Sequence, residues 1–518
     1  MSFLTQLLEH YHLTMKDLEA RKADGSFFGL KRPDELPEFQ AVLKRIQNAV
    51  DNKEKTVIYG DYDVDGITAT TILKATLDEL GLNPGFFVPS RYQEGYGLCV
   101  SRVHEFHKKG YSLIICVDNG VAAFDAIQEA KDLGMEVIVI DHHDLPEREI
   151  ETPYLFHQTH SHFLSYNCSA CSLSYFVASS LLHRDEPYFA TLAGLAVFSD
   201  VMPLVGNNLI FAKLMKQFLN QEHYHNLTAL LETDFPSYDD VNFKLIPCLN
   251  APGRVGKEMM DTIRVVSYLL PSTTEEKKNA LKMKLISLNQ QRKNVSASMT
   301  FHSELSSDHS YVVIQDSFSG LTGLVANKLM NEKKVPVLVF APMENDPSLL
   351  VGSIRAPEGY SLLSFLHKNA GKFVAAGGHE RACGITIKKE DYYIAATLFS
   401  TEAALQALNP VKISDNLMIS PEDLCEENYK ILEMFMPFGE GFAKPTFELT
   451  IPREFFRIAP SGLVAYAMLN QGNSKVTMFQ GFDVLKDPDR ELLTLQGQIS
   501  RSVFRNKSTI EFKVTAVK

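Results

Sequence analysis

Thr56-Val-Ile-Tyr-Gly-Asp-Tyr-Asp-Val-Asp-Gly66 is a short apolar run that breaks into three alternating aspartates. The segment from Ile67 to Leu80 has helical periodicity and ends at Gly81, and Gly85-Phe-Phe-Val88 reads as a second strand. Leu113-Ile-Ile-Cys-Val117 leads into Asp118-Asn-Gly120, and Glu136-Val-Ile-Val-Ile140 leads into Asp141-His-His-Asp144. Between them a helix is expected from Val121 to Leu133, stopping at Gly134. Continuous apolar strands alternating with helices predict a parallel sheet covered on both faces. Such a sheet offers its ligand site at the carboxyl ends of the strands.

Three strands therefore end in carboxylate. Adjacent strand ends lie about 5 Å apart, so these groups converge at one edge of the sheet and repel one another unless a cation neutralises them. Hard carboxylate oxygens mixed with imidazole suit Mn²⁺ or Mg²⁺. The Asp-x-Asp spacing lets two carboxylates address two ions, and two ions about 4 Å apart are the device that stabilises attacking and leaving oxygens in phosphoryl transfer. One acidic turn alone would read as a solvated loop or a helix cap. Three in succession, one with paired histidines, read as a metal centre.

The 518 residues are too many for one core. The pattern divides them into a helical leader (1–48), the acidic α/β domain (49–270), a polar connecting helix (271–300, read from Thr274 to Ser298), a smaller α/β domain (301–409) and a C-terminal β-barrel (410–518). The smaller domain begins with strands at Tyr311-Val-Val-Ile314 and Val335 to Phe340. The barrel rests on short strands such as Ala465 to Leu469, Leu493 to Gly497 and Thr509 to Lys513. With 45% hydrophobic and 22% charged residues the chain has globular composition. No run approaches the roughly 20 apolar residues of a membrane helix. The start lacks a signal-peptide pattern, and seven scattered cysteines form no disulfide framework, so a cytoplasmic, membrane-free protein is expected. Cys168 and Cys171, with His157, His160 and His162 nearby, offer a weak zinc alternative; small residues opening an apolar helix are the simpler reading. A net charge of −12 excludes a broadly nucleic-acid-coating surface but not a basic groove. Residues 452–518 are net basic and carry seven aromatic side chains, a pattern suited to stacking and gripping a single strand.

Gly60-Asp-Tyr-Asp-Val-Asp-Gly66, Val117-Asp-Asn-Gly120 and Asp141-His-His143 resemble the motifs of the DHH phosphoesterase superfamily. Further matches resemble its RecJ branch of single-strand-specific exonucleases. These are Phe87-Val-Pro-Ser-Arg91 with Glu94-Gly-Tyr-Gly-Leu98, Ser199-Asp-Val-Met-Pro-Leu204, Asn250-Ala-Pro-Gly-Arg254 and Leu288-Asn-Gln-Gln-Arg-Lys293. Gly352-Ser-Ile-Arg355 and Gly377-Gly-His379 resemble the DHH-associated domain, and Pro437-Phe-Gly-Glu-Gly441 resembles the start of an OB-fold.

The resemblance implies that Asp61, Asp63, Asp118, His142 and Asp200 bind two cations, Mn²⁺ or Mg²⁺, with Asp118 bridging. His143 would face the scissile phosphate, Asp141 would orient the histidines, and Asp65 would be a ligand or a loop support. Arg91, Tyr96, Asn250, Arg254, Ser353, Arg355, Gly377, Gly378 and His379 would contact substrate. It further implies a monomer that digests single-stranded DNA 5′-to-3′ in repair and recombination, with a single-strand-binding protein and a helicase as partners. Three positions depart from the pattern: Asp316-Ser-Phe-Ser-Gly320 replaces a Trp-His pair, Ala356 stands where serine is usual, and Leu209 where arginine is expected. Alternatives are a DHH enzyme for oligoribonucleotides, cyclic dinucleotides or pyrophosphate, and a non-catalytic single-strand-binding replication factor. The intact acidic set argues against the last.

Overall fold

The computed structural model describes residues 2–89, 97–148, 150–222, 224–231, 233, 235–256, 260–297, 301–316, 319–344, 346–357, 359–369, 371–379, 381–407, 417–479, 482–487, 490–504 and 507–518. The chain separates into two compact units, Gly25–Ile413 and a second made of Met1–Asp24 with Ser414–Lys518.

In the first unit the strands β1 (Thr56–Tyr59), β2 (Gly85–Phe87), β3 (Leu113–Val117), β4 (Glu136–Ile140) and β5 (Leu155–Phe156) form one sheet in the order β2-β1-β3-β4-β5. All four pairings are parallel. Every residue of β1 and β3 is buried, as their unbroken apolar sequences require of a sheet covered on both faces. The helix Val64–Glu79 follows β1 and packs against the helices Ala170–Leu182 and Pro187–Ser199, which explains why it is buried on nearly every side. Strand β5 has only two residues, too few for a periodic signal, and the sequence reading omitted it.

The helix Glu275–Ala297 leads from this domain to a smaller α/β one, as the polar run from Thr274 predicts. There the strands β6 (Phe301–Ser307), β7 (Ser310–Gln315), β8 (Val337–Met343), β9 (Asp346–Arg355), β10 (Ala375–His379) and β11 (Ala382–Lys388) lie in the order β10-β11-β9-β8-β7-β6. Among the described residues only the β7/β8 pair is parallel. One apolar cluster ties this domain to the acidic one. Ala251 and Val255, on the helix Ile246–Val255, meet Leu288 of the connecting helix and Leu321 of the second domain.

The second unit contains β12 (Leu417–Ile419), β13 (Phe447–Pro452), β14 (Phe456–Ile458), β15 (Ala465–Leu469), β16 (Ser474–Met478), β17 (Leu492–Phe504) and β18 (Lys507–Val517). Their order is β12-β13-β17-β18-β16-β15-β14, with β16 and β18 parallel. Within the central β13-β17-β18-β16-β15 run every other pair is antiparallel. Among the described residues no pair joins the two ends of the run.

The leader, read from sequence as one piece over 1–48, is divided between the two units. The helix Pro37–Asp51 buries Phe39, Val42 and Ile46 in the core of the first unit. The helices Phe3–His10 and Met15–Lys22 instead belong to the second, where Phe3 stacks on Phe447 at 5.6 Å and Leu7 and Leu18 are fully buried. Tyr11 stacks on Phe442 at 4.3 Å and donates its hydroxyl to Ala443 O at 2.7 Å. Arg21 donates to the carbonyls of Phe435 and Pro437. Periodicity shows that these short helices have apolar faces; it cannot show which core, far away in sequence, receives them. No described helix is long and apolar enough to cross a membrane.

Leu7→Ala is expected to destabilise the unit that contains residues 414–518 by about 2–5 kcal/mol, the usual cost of such a cavity. Urea unfolding followed by a probe in each unit should show that transition move while the first unit's stays in place.

Candidate metal centre and phosphate-binding residues

The switch in strand order between β1 and β3 places their carboxyl ends beside each other. Asn119 locks this edge, donating from Nδ2 to Val117 O (2.9 Å) and to Tyr59 O (3.2 Å). Asp118 takes a left-handed backbone conformation (φ 62°) directly after β3 and is buried. That conformation, uncommon for a side-chain-bearing residue, turns the chain out of the strand as soon as the sheet ends.

Asp63 caps the helix Val64–Glu79, its Oδ1 accepting from the amides of Asp65 (3.0 Å) and Gly66 (3.3 Å). Ligand atoms of Asp61, Asp63 and Asp118 nevertheless lie within 4.8 Å of one another. The cap and the cluster are therefore the same residue in two roles. His142 follows β4 and brings Nε2 to 3.1 Å from Asp118 Oδ1, 3.4 Å from Asp200 Oδ2 and 3.5 Å from Asp65 Oδ2. Asp200 reaches this point from the end of the helix Pro187–Ser199. All five expected metal ligands thus converge.

Asp65 is fully buried, and its two oxygens accept from the amides of Ala170 and Cys171, both at 2.7 Å. It anchors the first turn of the helix Ala170–Leu182 beneath the cluster, a favourable place for a negative charge. This also accounts for the Cys168-Ser-Ala-Cys171 segment: Ser169 is the helix cap and both thiols are buried. The zinc alternative finds no support, since His157 is engaged by its own loop and by His143. Asp141 holds the histidine turn, with Oδ1 accepting from the amides of His142 (2.7 Å) and His143 (3.2 Å) and from His143 Nδ1 (2.8 Å).

The electrostatics follow from this crowding. Burial, then the neighbouring Asp65, Asp63, Asp61 and Asp200, push Asp118 well above the ordinary carboxylate range. Asp200 moves the same way, through burial and then Asp65 and Asp63. Burial with Asp63 raises Asp65 to about 7. Burial alone would raise Asp141 too, but its hydrogen bond to His143 and the charges of both histidines hold it well below its usual value. Burial lowers His143, yet Asp141 and the other aspartates raise it to about 9.

Divalent cations fit these residues. Asp200 Oδ2 is buried without a hydrogen-bond donor on it, and the set is oxygen-rich with one or two imidazoles.

Among the expected substrate contacts, Asn250 reaches under the loop and accepts from Val64 N (3.1 Å), so it also supports the first turn after β1. Gly253 passes so close to Tyr62 that a Cβ there would lie 2.7 Å from Tyr62 O. Arg254 sits half-buried in the last turn of the same helix. In the second domain Ser353 and Thr322 share a hydroxyl hydrogen bond of 2.8 Å, and Arg355 lies over Gly323 at the start of the helix Thr322–Lys333. Gly377, Gly378 and His379 lie on β10, and Gly378 (φ 140°) packs against Cys383 too closely for any Cβ. Arg91 and Tyr96 lie outside the described residues. The departure at Ala356 falls in the second domain's apolar core, away from solvent.

Residues 55–197 match the profile of the DHH family, N-terminal domain. The chain is 29% identical over 438 residues to the single-stranded-DNA-specific exonuclease RecJ of Bacillus subtilis, covering 80% of this chain and 54% of that protein. To RecJ of Haemophilus influenzae it is 26% identical, covering 85% and 83%. The chain therefore spans about half the length of the first relative and most of the second. The crystal structure of RecJ from Thermus thermophilus in complex with Mn²⁺ superposes with a TM-score of 0.77 at 20% identity, covering all of this chain and 76% of that one. The α/β fold is thus shared across the whole chain.

The shifts predict an inverted pH response for the metal-free protein. Folded Asp65, Asp118 and Asp200 keep protons that the unfolded chain releases near pH 4, so stability falls as pH rises above that point, the share from Asp65 being lost by about 7. His143 acts alike: the stability from its raised value is complete below about 6.5 and lost as pH climbs through about 9. Asp141 contributes oppositely, but only below about 4. Thermal unfolding in EDTA should show Tm falling from about pH 5 to about pH 9, and Mn²⁺ should raise Tm more at the alkaline end. A metal-free Tm that climbed over this range would contradict the crowding of unneutralised carboxylates.

Proposed function

We propose that this protein is a two-metal exonuclease that hydrolyses phosphodiester bonds of single-stranded DNA, 5′-to-3′, in repair and recombination. The observation that carries the proposal is the convergence of Asp61, Asp63, Asp118, His142 and Asp200 at one sheet edge. The names of its relatives, single-stranded-DNA-specific exonucleases, supply the substrate class. Asp61, Asp63 and Asp118 would hold one cation, and Asp118, His142 and Asp200 the other, Asp118 bridging. When bound, such ions lower the pKa of a water nucleophile and neutralise the leaving oxygen.

The chain's own residues do the rest. His143 is held through Nδ1 by Asp141. With Nδ1 so engaged, it would present Nε2 to a phosphate oxygen in a site where water screens poorly. Arg254, Arg355, Ser353, His379 and the backbone at Gly377 and Gly378 would bind phosphates of the same strand, a guanidinium donating in pairs. What supports a role for Arg254 is that Gly253, its neighbour in the chain, packs against Tyr62 of the Asp61–Asp63 loop. In the second unit the central five strands are read as an OB-fold that tracks the strand, with exposed Phe455 and Phe479 available for stacking. The protein partners suggested by this reading are a single-strand-binding protein and a helicase.

Asp118→Asn is expected to reduce hydrolysis to below a few per cent of wild type at saturating Mn²⁺ while single-strand binding persists. Time-resolved digestion of 5′- and 3′-labelled single strands, beside a blunt duplex, measures polarity and strandedness together. Equal rates on single strand and duplex would remove the single-strand reading, and product released first from the 3′ end would reverse the polarity.

A further inference from the structure

The backbone ladder between β4 and β5 ends where Asp141 N donates to Phe156 O at 3.3 Å. One residue further, side chains take over from the ladder. Gln158 Nε2 donates to His142 O at 2.8 Å, and His157 Nε2 lies 2.8 Å from His143 O. Both side chains are buried, at 1% and 2% exposure.

The tautomer of His157 follows from its other nitrogen. Nδ1 lies 3.1 Å from Thr159 N and 3.3 Å from His160 N, and backbone amides can only donate. Nδ1 therefore carries the lone pair, Nε2 carries the proton, and the ring donates to His143 O.

These contacts complete a grip that Asp141 begins. The carbonyl of His142 and the amide of His143 belong to one rigid peptide plane. Asp141 accepts from the amide end of that plane, and Gln158 donates to its carbonyl end. The next plane, beginning at the His143 carbonyl, is held by His157. Without the two donors the turn could pivot about Asp141, carrying both imidazoles with it.

We infer that His157 and Gln158 are positioning residues for the histidine turn, Gln158 fixing the direction of the His142 ring toward the metal ligands and His157 that of the His143 ring toward the substrate. The division of labour rests on the functional reading above. Groups behind a metal-binding or reacting histidine typically change affinity or activity by about 10–100-fold when lost.

The test compares Gln158→Leu and His157→Phe, which keep bulk without a donor, with His157→Gln, whose amide nitrogen reaches a similar point. Calorimetric titration with Mn²⁺ alone, Tm, and kcat and KM on a single-stranded oligonucleotide are measured for each. Gln158→Leu should raise the Mn²⁺ dissociation constant by about 10–100-fold, and His157→Phe should lower kcat by about the same factor with KM and Mn²⁺ affinity unchanged. His157→Gln should recover most of the lost kcat. Folded variants with wild-type kcat and wild-type Mn²⁺ affinity would overturn the inference, as would a His157→Gln protein no better than His157→Phe. Should His157→Phe not fold, His157→Gln against His157→Asn, whose shorter amide falls short of the carbonyl, decides in its place. If wild type cuts no single strand, the functional reading fails, and the Mn²⁺ isotherm of Gln158→Leu still decides the positioning role.

Discussion

Mutual repulsion among buried carboxylates is the constraint around which the first unit is organised. Asp61, Asp63, Asp118 and Asp200 would separate in a flexible chain, and burial strengthens their repulsion because less water screens it. The parallel sheet prevents separation: β1 and β3 are neighbours, and Asn119 fastens their ends. Helix starts absorb part of the charge, at Asp63 on its own helix and at Asp65 on the amides of Ala170 and Cys171. His142 stands among the rest. A fold that spends stability in this way has a natural remedy in a divalent cation, which converts each repulsive neighbour into a ligand.

The same loop is also where two domains communicate. The helix Ile246–Val255 touches the Asp61–Asp63 loop on one side, through Asn250 and Gly253. On another it reaches Leu288 and Leu321, through Ala251 and Val255. Leu321 immediately precedes the helix over which Arg355 lies. Residues suited to holding cations and residues suited to holding phosphates are therefore separated by one packed helix rather than by a free linker.

The strands β1, β3 and β4 were legible to the residue because continuous apolar runs end in acidic turns. The convergence of Asp61, Asp63, Asp118 and His142 was legible for the same reason, since strand ends must converge, whereas Asp200 follows a helix and was reached only through the family resemblance. Other features had no local signal. Strand β5 is two residues long, and the roles of His157 and Gln158 depend on its lying beside β4. Asn250 looked like a phosphate contact but also caps a helix 186 residues earlier, a long-range hydrogen bond no spacing reveals. The destination of residues 3–22 was invisible because an amphipathic face names no partner.

The whole of Gly25–Ile413 separates the two halves of the other unit in sequence. At roughly 5–20 residues per second, a ribosome needs on the order of 20–80 s to make it. During that interval Phe3, Leu7 and Leu18 have emerged while Phe447 and the strands that will cover them have not. Residues 3–22 are thus an apolar segment waiting for its partner, and although they precede Gly25–Ile413 in the chain they reach their native surroundings only after residues 414–518 have been made.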